Sequence, residues 1–466
     1  MPLVMGVDSS TQSTKVEIRD ADAGELVATG KAAHPPTRPP RSEQDPAAWW
    51  SAFEEAMAQA GGPNVAAAAV GGQQHGMVCL DSSGRVIRPA KLWNDTESAP
   101  EAAELVARRG AAWWAEACGS VLVASLTITK LAWLAQHEPD ALARVAKVLL
   151  PHDWLTYRLT GEFTTDRGEA SGTGYWSPRE ERWRPDLLKM ACGLDESVLP
   201  KVLGPLESAG AWRGAVVGSG TGDNMAAALS VGLRPGDVAI SLGTSGTVFS
   251  VCASPTSDAT GAVAGFADAT GNYLPLVCTL NATKVTDAFA RVLSVGQRGF
   301  EELAISASPG AGGVVVVPYL DGERTPNRPD ATGAMVGFRS DVTPAQVARA
   351  AFEGVVCGLL DGLDAMGAAG VETSRGRLFL VGGGSRSIAY RRVVADLAGR
   401  IVTVPEEREH VAAGACVQAA AVLHGKQPAE VAEAWGFGGG ETVEPDLGVD
   451  RESIRGRYAE AARVRE

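Results

Sequence analysis

Apolar runs in this chain end repeatedly at small or charged residues, and their periods predict the elements. Leu3-Val4-Met5-Gly6-Val7 runs into Asp8, and beyond a turn Val16 and Ile18 alternate with polar neighbours. A period of two is the mark of strands, predicted near 3–8, 14–20 and 25–33. A helix follows at about 46–60, with Asp45 as N-cap, Pro46 at N1 and Gly61 just past the end. A strand at 65–71, a hairpin around 81–84 and helical stretches between about 97 and 160 follow. The second half begins again with strands near 238–241, 247–253, 263–268 and 273–277, then helices at roughly 280–294 and 344–368. Leu378-Phe379-Leu380-Val381 reads as a strand that runs straight into Gly382-Gly383-Gly384 and a further helix.

The two halves share more than an order of elements. Gly6-Val7-Asp8-Ser9-Ser10-Thr11-Gln12-Ser13-Thr14 is matched by Ala239-Ile240-Ser241-Leu242-Gly243-Thr244-Ser245-Gly246-Thr247. Each is an apolar strand, a small-residue turn with Thr at the same place, and a second strand. The offset from Asp8 to Ser241 is 241 − 8 = 233, half of the 466 residues. Repeated units at that spacing predict a duplicated domain. The expected fold is α/β, with two related actin-like ATPase (ribonuclease H-like) domains, 1–236 and 237–466, and a cleft between them.

Small-residue turns suit phosphate, because successive backbone N–H groups form an anion-binding concavity and Ser/Thr hydroxyls add donors. They are also ordinary hairpin chemistry, and it is the matched pair that favours the functional reading. An acid beside phosphate is unfavourable without a cation between them, so Asp8 reads as a Mg²⁺ ligand, direct or through water. Asp223, in Gly220-Thr221-Gly222-Asp223-Asn224, reads either as a helix N-cap or as a base accepting a hydroxyl proton. Beside phosphate-binding turns the second role gains weight. Gly72-Gln73-Gln74-His75-Gly76 offers amides and an imidazole suited to sugar hydroxyls, or a polar loop. Trp93-Asn94-Asp95 joins an aromatic face to hydrogen-bonding groups, a combination common at sugars. Gly322-Glu323-Arg324-Thr325 reads as structural.

Composition narrows the classes. Glycine supplies 55 of the 466 residues, against an average near 7%, which implies many tight turns or close approaches to a ligand. The net charge of −13 argues against sequence-independent nucleic-acid binding. Seven scattered cysteines without a C-x-x-C pair predict neither a disulfide framework nor a zinc site, and place the chain in a reducing, cytoplasmic compartment. Val238 to Ser257 carries no charge but is too rich in Ser, Thr and Gly for a membrane span. The sequence leaves the oligomeric state open, a homodimer being one assembly it allows.

Longer segments carry a resemblance. Ser125-Leu126-Thr127-Ile128-Thr129-Lys130-Leu131-Ala132-Trp133-Leu134-Ala135-Gln136-His137 resembles the first signature of the FGGY family of carbohydrate kinases at every constrained position. Gly333 to Glu353 resembles the second signature, except for Phe338 at a usually aliphatic place. Ser42 to Pro46 with Trp49-Trp50, Gly72 to Gly76, Leu92 to Asp95 and Leu159 to Phe163 resemble the family's xylulose-phosphorylating branch. Ser241 to Gly246, Pro318-Tyr319-Leu320 with Gly322 to Pro326, and Gly382 to Ser387 extend the likeness nearly end to end. The resemblance implies transfer of phosphate from ATP, with Mg²⁺, to D-xylulose. It further implies Asp223 as base, Asn224 beside the sugar, and Gln74 with His75 as a substrate-binding pair. Asp8 matches the Mg²⁺-associated acid, while Thr11, Ser13 and Lys15 match the first phosphate loop. Thr244 matches the second loop, and Gly383 with Gly384 the adenosine-binding turn. Ser10 replaces a usual glycine, Glu97 a common arginine, and Thr129 a frequent proline. Other readings are a kinase for ribulose, fuculose, gluconate or glycerol, or an actin-like ATPase that is not a kinase. A chaperone or repressor of that fold needs a peptide- or DNA-binding module for which the chain has no spare length.

Overall fold

The architecture repeats one strand frame twice. A computed structural model describes residues 1–407 and 409–463, which form two compact units. In the first unit, Leu3–Ser9 pairs antiparallel with Ser13–Asp20, which pairs antiparallel with Leu26–Ala33. On its other side Leu3–Ser9 runs parallel to Ala67–Gly72, and Ala215–Gly218 and Ser208–Trp212 continue the sheet. In the second unit, Val238–Leu242 is antiparallel to Gly246–Ser250, which is antiparallel to Tyr273–Thr279. Val238–Leu242 is likewise parallel to the next strand, Leu378–Val381, with Val402–Pro405 and Gly440–Val443 beyond. The duplication read from two turns is therefore present in the pairing of whole sheets.

Local signals explain the element ends. Asp45 caps the helix Pro46–Gln59 by accepting from Ala47 N, as its sequence predicts. Trp49 on that helix is fully buried and its indole donates to Gln44 Oε1 at 2.7 Å. The helix Pro344–Ala368 opens with a capping box between Thr343 and Gln346. It is apolar almost all round, which is the composition of a helix buried on most of its circumference.

The chain does not pass from one unit to the other only once. The first unit holds Met1–Leu233, Cys252–Leu274 and Glu409–Gly438, and the second Arg234–Val251, Pro275–Arg408 and Gly439–Glu466. The first passage falls between Leu233 and Arg234, and two later segments return to the first unit. One contains the strand predicted at 263–268. The other is the helix His410–His424, whose Ala412 to Ala421 stretch is buried throughout. It packs on Leu3–Ser9, at Gly6, and on Ala67–Gly72, a strand of alanine and glycine apart from Val70. A side chain on Gly6 would collide with the backbone of Ala412, so glycine there sets how closely helix and sheet approach. Small residues facing each other build this layer, and no motif announces it.

Candidate active site

The first hairpin carries opposite charges across its two strands. Asp8 is the residue opposite Lys15 in the ladder, and Asp8 Oδ2 lies 3.3 Å from Lys15 Nζ. Lys15 also reaches Glu409 at 2.5 Å. Asp8 is buried, and burial holds its carboxyl above the ordinary range while Lys15 pulls it down. Its Oδ1 is buried without a hydrogen-bond partner. A buried carboxylate oxygen left unused is costly in isolation and fits a cation or its bound water. The Mg²⁺-associated role expected for Asp8 thus has an atom available for it.

Asp223 begins the helix Asp223–Ser230 rather than capping it, since the N-cap is Gly222. Its Oδ1 accepts from Asn224 N at 2.8 Å and from Asn224 Nδ2 at 2.9 Å. The same Nδ2 donates to Gln74 Oε1 at 2.9 Å. Burial first, and then the charge of Asp8, raise the Asp223 carboxyl to about 7. A general base works best with a pKa near the operating pH. Here that value follows from placing two carboxyl groups together in a site poor in water. His75 adjoins Gln74 with φ of 65°, a left-handed conformation uncommon outside glycine. Its backbone carbonyl accepts from Thr127 Oγ1 at 3.1 Å, and its ring lies 5.3 Å from that of Phe266. Such backbone strain concentrates at binding sites, where the surroundings over-determine it.

Trp93 joins the first turn, its indole donating to Thr11 Oγ1 at 2.9 Å. The Thr11 hydroxyl donates in turn to Gln73 Oε1 at 3.0 Å. Ser13 closes the turn, accepting on its carbonyl from Ser10 N and Ser10 Oγ. Asp95 does not join this group. It is fully buried, takes Lys91 Nζ at 3.2 Å on each oxygen, and accepts from Ser42 N. The hydrogen-bonding role toward a sugar expected for Asp95 gives way to bracing Lys91, because every acceptor it has is already committed to protein. Glu97 completes that cluster, 2.5 Å from Lys91 Nζ, so the acid standing where an arginine is common has its charge balanced locally.

In the second unit Thr244 is exposed at the tip of its hairpin, and its carbonyl accepts from Ala282 N. Gly384 packs directly against that hairpin: a Cβ there would lie 2.7 Å from Leu242 Cβ and 2.9 Å from Thr283 Cγ2. A Cβ on Gly383 would meet nothing within 4 Å. The expected phosphate turn and adenosine-binding turn are thus neighbours in one unit, with open space at Gly383. Glu323 is buried and accepts from Leu280 N and Asn281 Nδ2, the structural role its sequence predicts.

A buried group of titratable residues beside the site has no counterpart in the sequence reading. His152 Nδ1 lies 2.9 Å from Asp153, and its Nε2 lies 3.5 Å from Asp166. Glu169 is buried next to Gln74 and Gly222. The only sequence signal is Asp166 three residues before Glu169, a helix-cap spacing that the structure bears out, since Asp166 accepts from Gly168 N and Glu169 N.

A charged hairpin and a half-buried aspartate raised to about 7 suit phosphate transfer to a hydroxyl group. The comparisons agree on that class. Residues 3–230 match the N-terminal domain, and 238–423 the C-terminal domain, of the FGGY family of carbohydrate kinases. The chain belongs to this family and is a sugar kinase of the actin-like ATPase fold. It is 48% identical over 455 residues to the xylulose kinase of Streptomyces rubiginosus, covering 95% of this chain and 92% of that one. The xylulose kinase of Streptomyces coelicolor matches equally, 48% over 455 residues with the same coverage. The crystal structure of xylulose kinase from Bifidobacterium adolescentis superposes with a TM-score of 0.88 at 42% identity, covering 99% of each chain. No helix among the described residues is long and apolar enough to cross a membrane.

Proposed function

We propose that this protein phosphorylates D-xylulose at its 5-hydroxyl, using ATP, with Asp223 as the general base. The observation that carries the base assignment is the half-buried Asp223 carboxyl, raised to about 7, with one oxygen held by Asn224. Similarity to xylulose kinases over nearly the whole chain supports the sugar. Asp223 receives the proton of the 5-hydroxyl through its second oxygen as the hydroxyl oxygen attacks the γ-phosphorus and the bond to ADP breaks. Asn224, Gln74, His75 and Trp93 orient the sugar. The family likeness assigns Thr11, Ser13 and Lys15 to a phosphate loop, and Thr244, Gly383 and Gly384 to the nucleotide. Asp8, with Oδ1 unpartnered, would hold Mg²⁺ directly or through water, and the ion when bound would supply charge neutralisation. Most of the acceleration in such transfers comes from positioning and charge stabilisation rather than from proton removal. The seven cysteines are all free thiols, which suits a reducing, cytoplasmic location.

A coupled ADP-release assay across xylulose, ribulose, fuculose, gluconate and glycerol tests the substrate. D-Xylulose is expected to give the highest kcat/KM. A preference for glycerol or gluconate overturns the roles given to Gln74 and His75.

A further inference from the structure

Beside Gln74 lies a carboxyl group that the proposed reaction leaves unused. Glu169 belongs to the short helix Arg167–Ser171 and is fully buried. A Cβ placed on Gly222 would lie 2.6 Å from Glu169 Oε1 and 2.8 Å from Gln74 Cδ. Carboxyl and amide therefore converge on one bare stretch of backbone, directly before the helix that Asp223 begins. From Gln74 the contacts run onward without a gap. Gln74 Oε1 accepts from Asn224 Nδ2, and that same Nδ2 donates to Asp223 Oδ1, each at 2.9 Å. With Oδ1 taken twice by Asn224, Oδ2 is the oxygen that faces a proton.

We propose that Glu169 is a positioning residue for Asp223, acting through the Gln74 amide and the Asn224 side chain. The inference rests on Asp223 being the base. A side-chain amide can turn over and exchange its donor and acceptor ends; a partner on its far side fixes which end faces Asn224. Glu169 is the residue placed to do that for Gln74: both of its oxygens and Gln74 Nε2 are buried side by side at Gly222 with no hydrogen-bond partner yet made.

The charge on Glu169 follows from its surroundings. Burial raises its carboxyl well above the ordinary range, and the charges of Asp166, Asp153 and Asp223 add to this, while Gln74 works the other way. Burial alone would lower the nearby His152, but Asp153 and Asp166 together raise it. His152 is thus engaged by those two aspartates, and the surroundings of Glu169 favour its protonated form. A carboxyl biased towards its protonated form can brace Gln74 with less negative charge beside the base.

The test compares Glu169→Ala, Glu169→Gln and Glu169→Asp in the wild-type and Gln74→Met backgrounds, by steady-state kinetics from about pH 5 to 9. Glu169→Ala is expected to lower kcat roughly ten- to a hundredfold with little change in sugar KM, since misplacing a reacting group costs rate more than binding. Glu169→Gln, neutral and of the same length, is expected to rescue most of that loss and leave the acidic limb of the pH profile in place. Glu169→Asp withdraws the carboxyl by one methylene and is expected to lose kcat as alanine does, which decides the matter if the alanine variant does not fold. In the Gln74→Met background, where no amide passes the contact on, Glu169→Ala is expected to add little. Wild-type kcat in the Ala or Asp variant overturns the proposal. So does an acidic limb that moves in Glu169→Gln, because Glu169 would then act on Asp223 by charge rather than by position. Full multiplication of the Ala and Met effects also overturns it. Asp223→Ala runs alongside: normal turnover there refutes the base itself, a failure distinct from that of Glu169.

Discussion

The two hairpins are copies in frame and opposites in chemistry. In the first, the pair Ser9–Thr14 encloses Ser10 to Ser13, and Asp8 faces Lys15 across the ladder. In the second, Leu242–Gly246 encloses Gly243 to Ser245, and Ser241 faces Thr247. One turn is a residue longer and flanked by a charged pair; the other is shorter and flanked by neutral hydroxyls. Duplication preserved the strand pairing that places a turn at a sheet end, while charge collected on a single copy. The first hairpin thereby carries an acid and a base face to face, and the second carries neither. The second offers hydroxyls and bare backbone, the groups that hold a phosphate or a flat ring without competing for its charge.

Substitutions can break that division of roles, and the largest effect is expected at the base. Asp223→Ala is expected to lower kcat by about 10²- to 10⁴-fold while calorimetry still detects sugar binding. Asp8→Ala comes next, with kcat down about a hundredfold and an increased Mg²⁺ requirement, read from a magnesium titration of the rate. Ser241→Asp makes the second hairpin resemble the first but supplies no lysine opposite. It is expected to raise the ATP KM by roughly tenfold through repulsion between like charges, with the sugar KM unchanged. Smallest is the contrast within the glycine turn. Gly384→Ala must displace Leu242 or Thr283 and is expected to cost about 1–3 kcal/mol of stability, read as a lower melting temperature. Gly383→Ala should melt as wild type, and any loss there should fall on ATP alone.

Much of this was legible in the sequence because it rests on periodicity and on short chemistry-bearing segments. Alternation around Val16 and Ile18 marks strands, Asp45-Pro46 marks a helix start, and the 233-residue offset marks the repeat. What stayed hidden depends on long-range packing. Helix His410–His424 reaches the first unit because alanines and glycines on both sides allow close approach, and composition alone does not say which sheet they will meet. Asp95 looks like a sugar ligand beside Trp93 until Lys91, four residues earlier, claims both its oxygens. Glu169 lies far in sequence from Gln74 and from Asp223, and only the fold brings the three together.

The pH dependence of kcat/KM for D-xylulose tests the role of Asp223 most directly. A base must be ionised to act, so activity should be low in acid and rise to a plateau as the pH passes about 7, the value to which burial and Asp8 raise Asp223. Asp8→Asn removes the second of those causes, so its residual activity should show the limb shifted to lower pH but still above the ordinary carboxylate value of 3.8. A limb already near 3.8 in the wild type, or one near 7 that persists in Asp223→Ala, would contradict the assignment of Asp223 as the base.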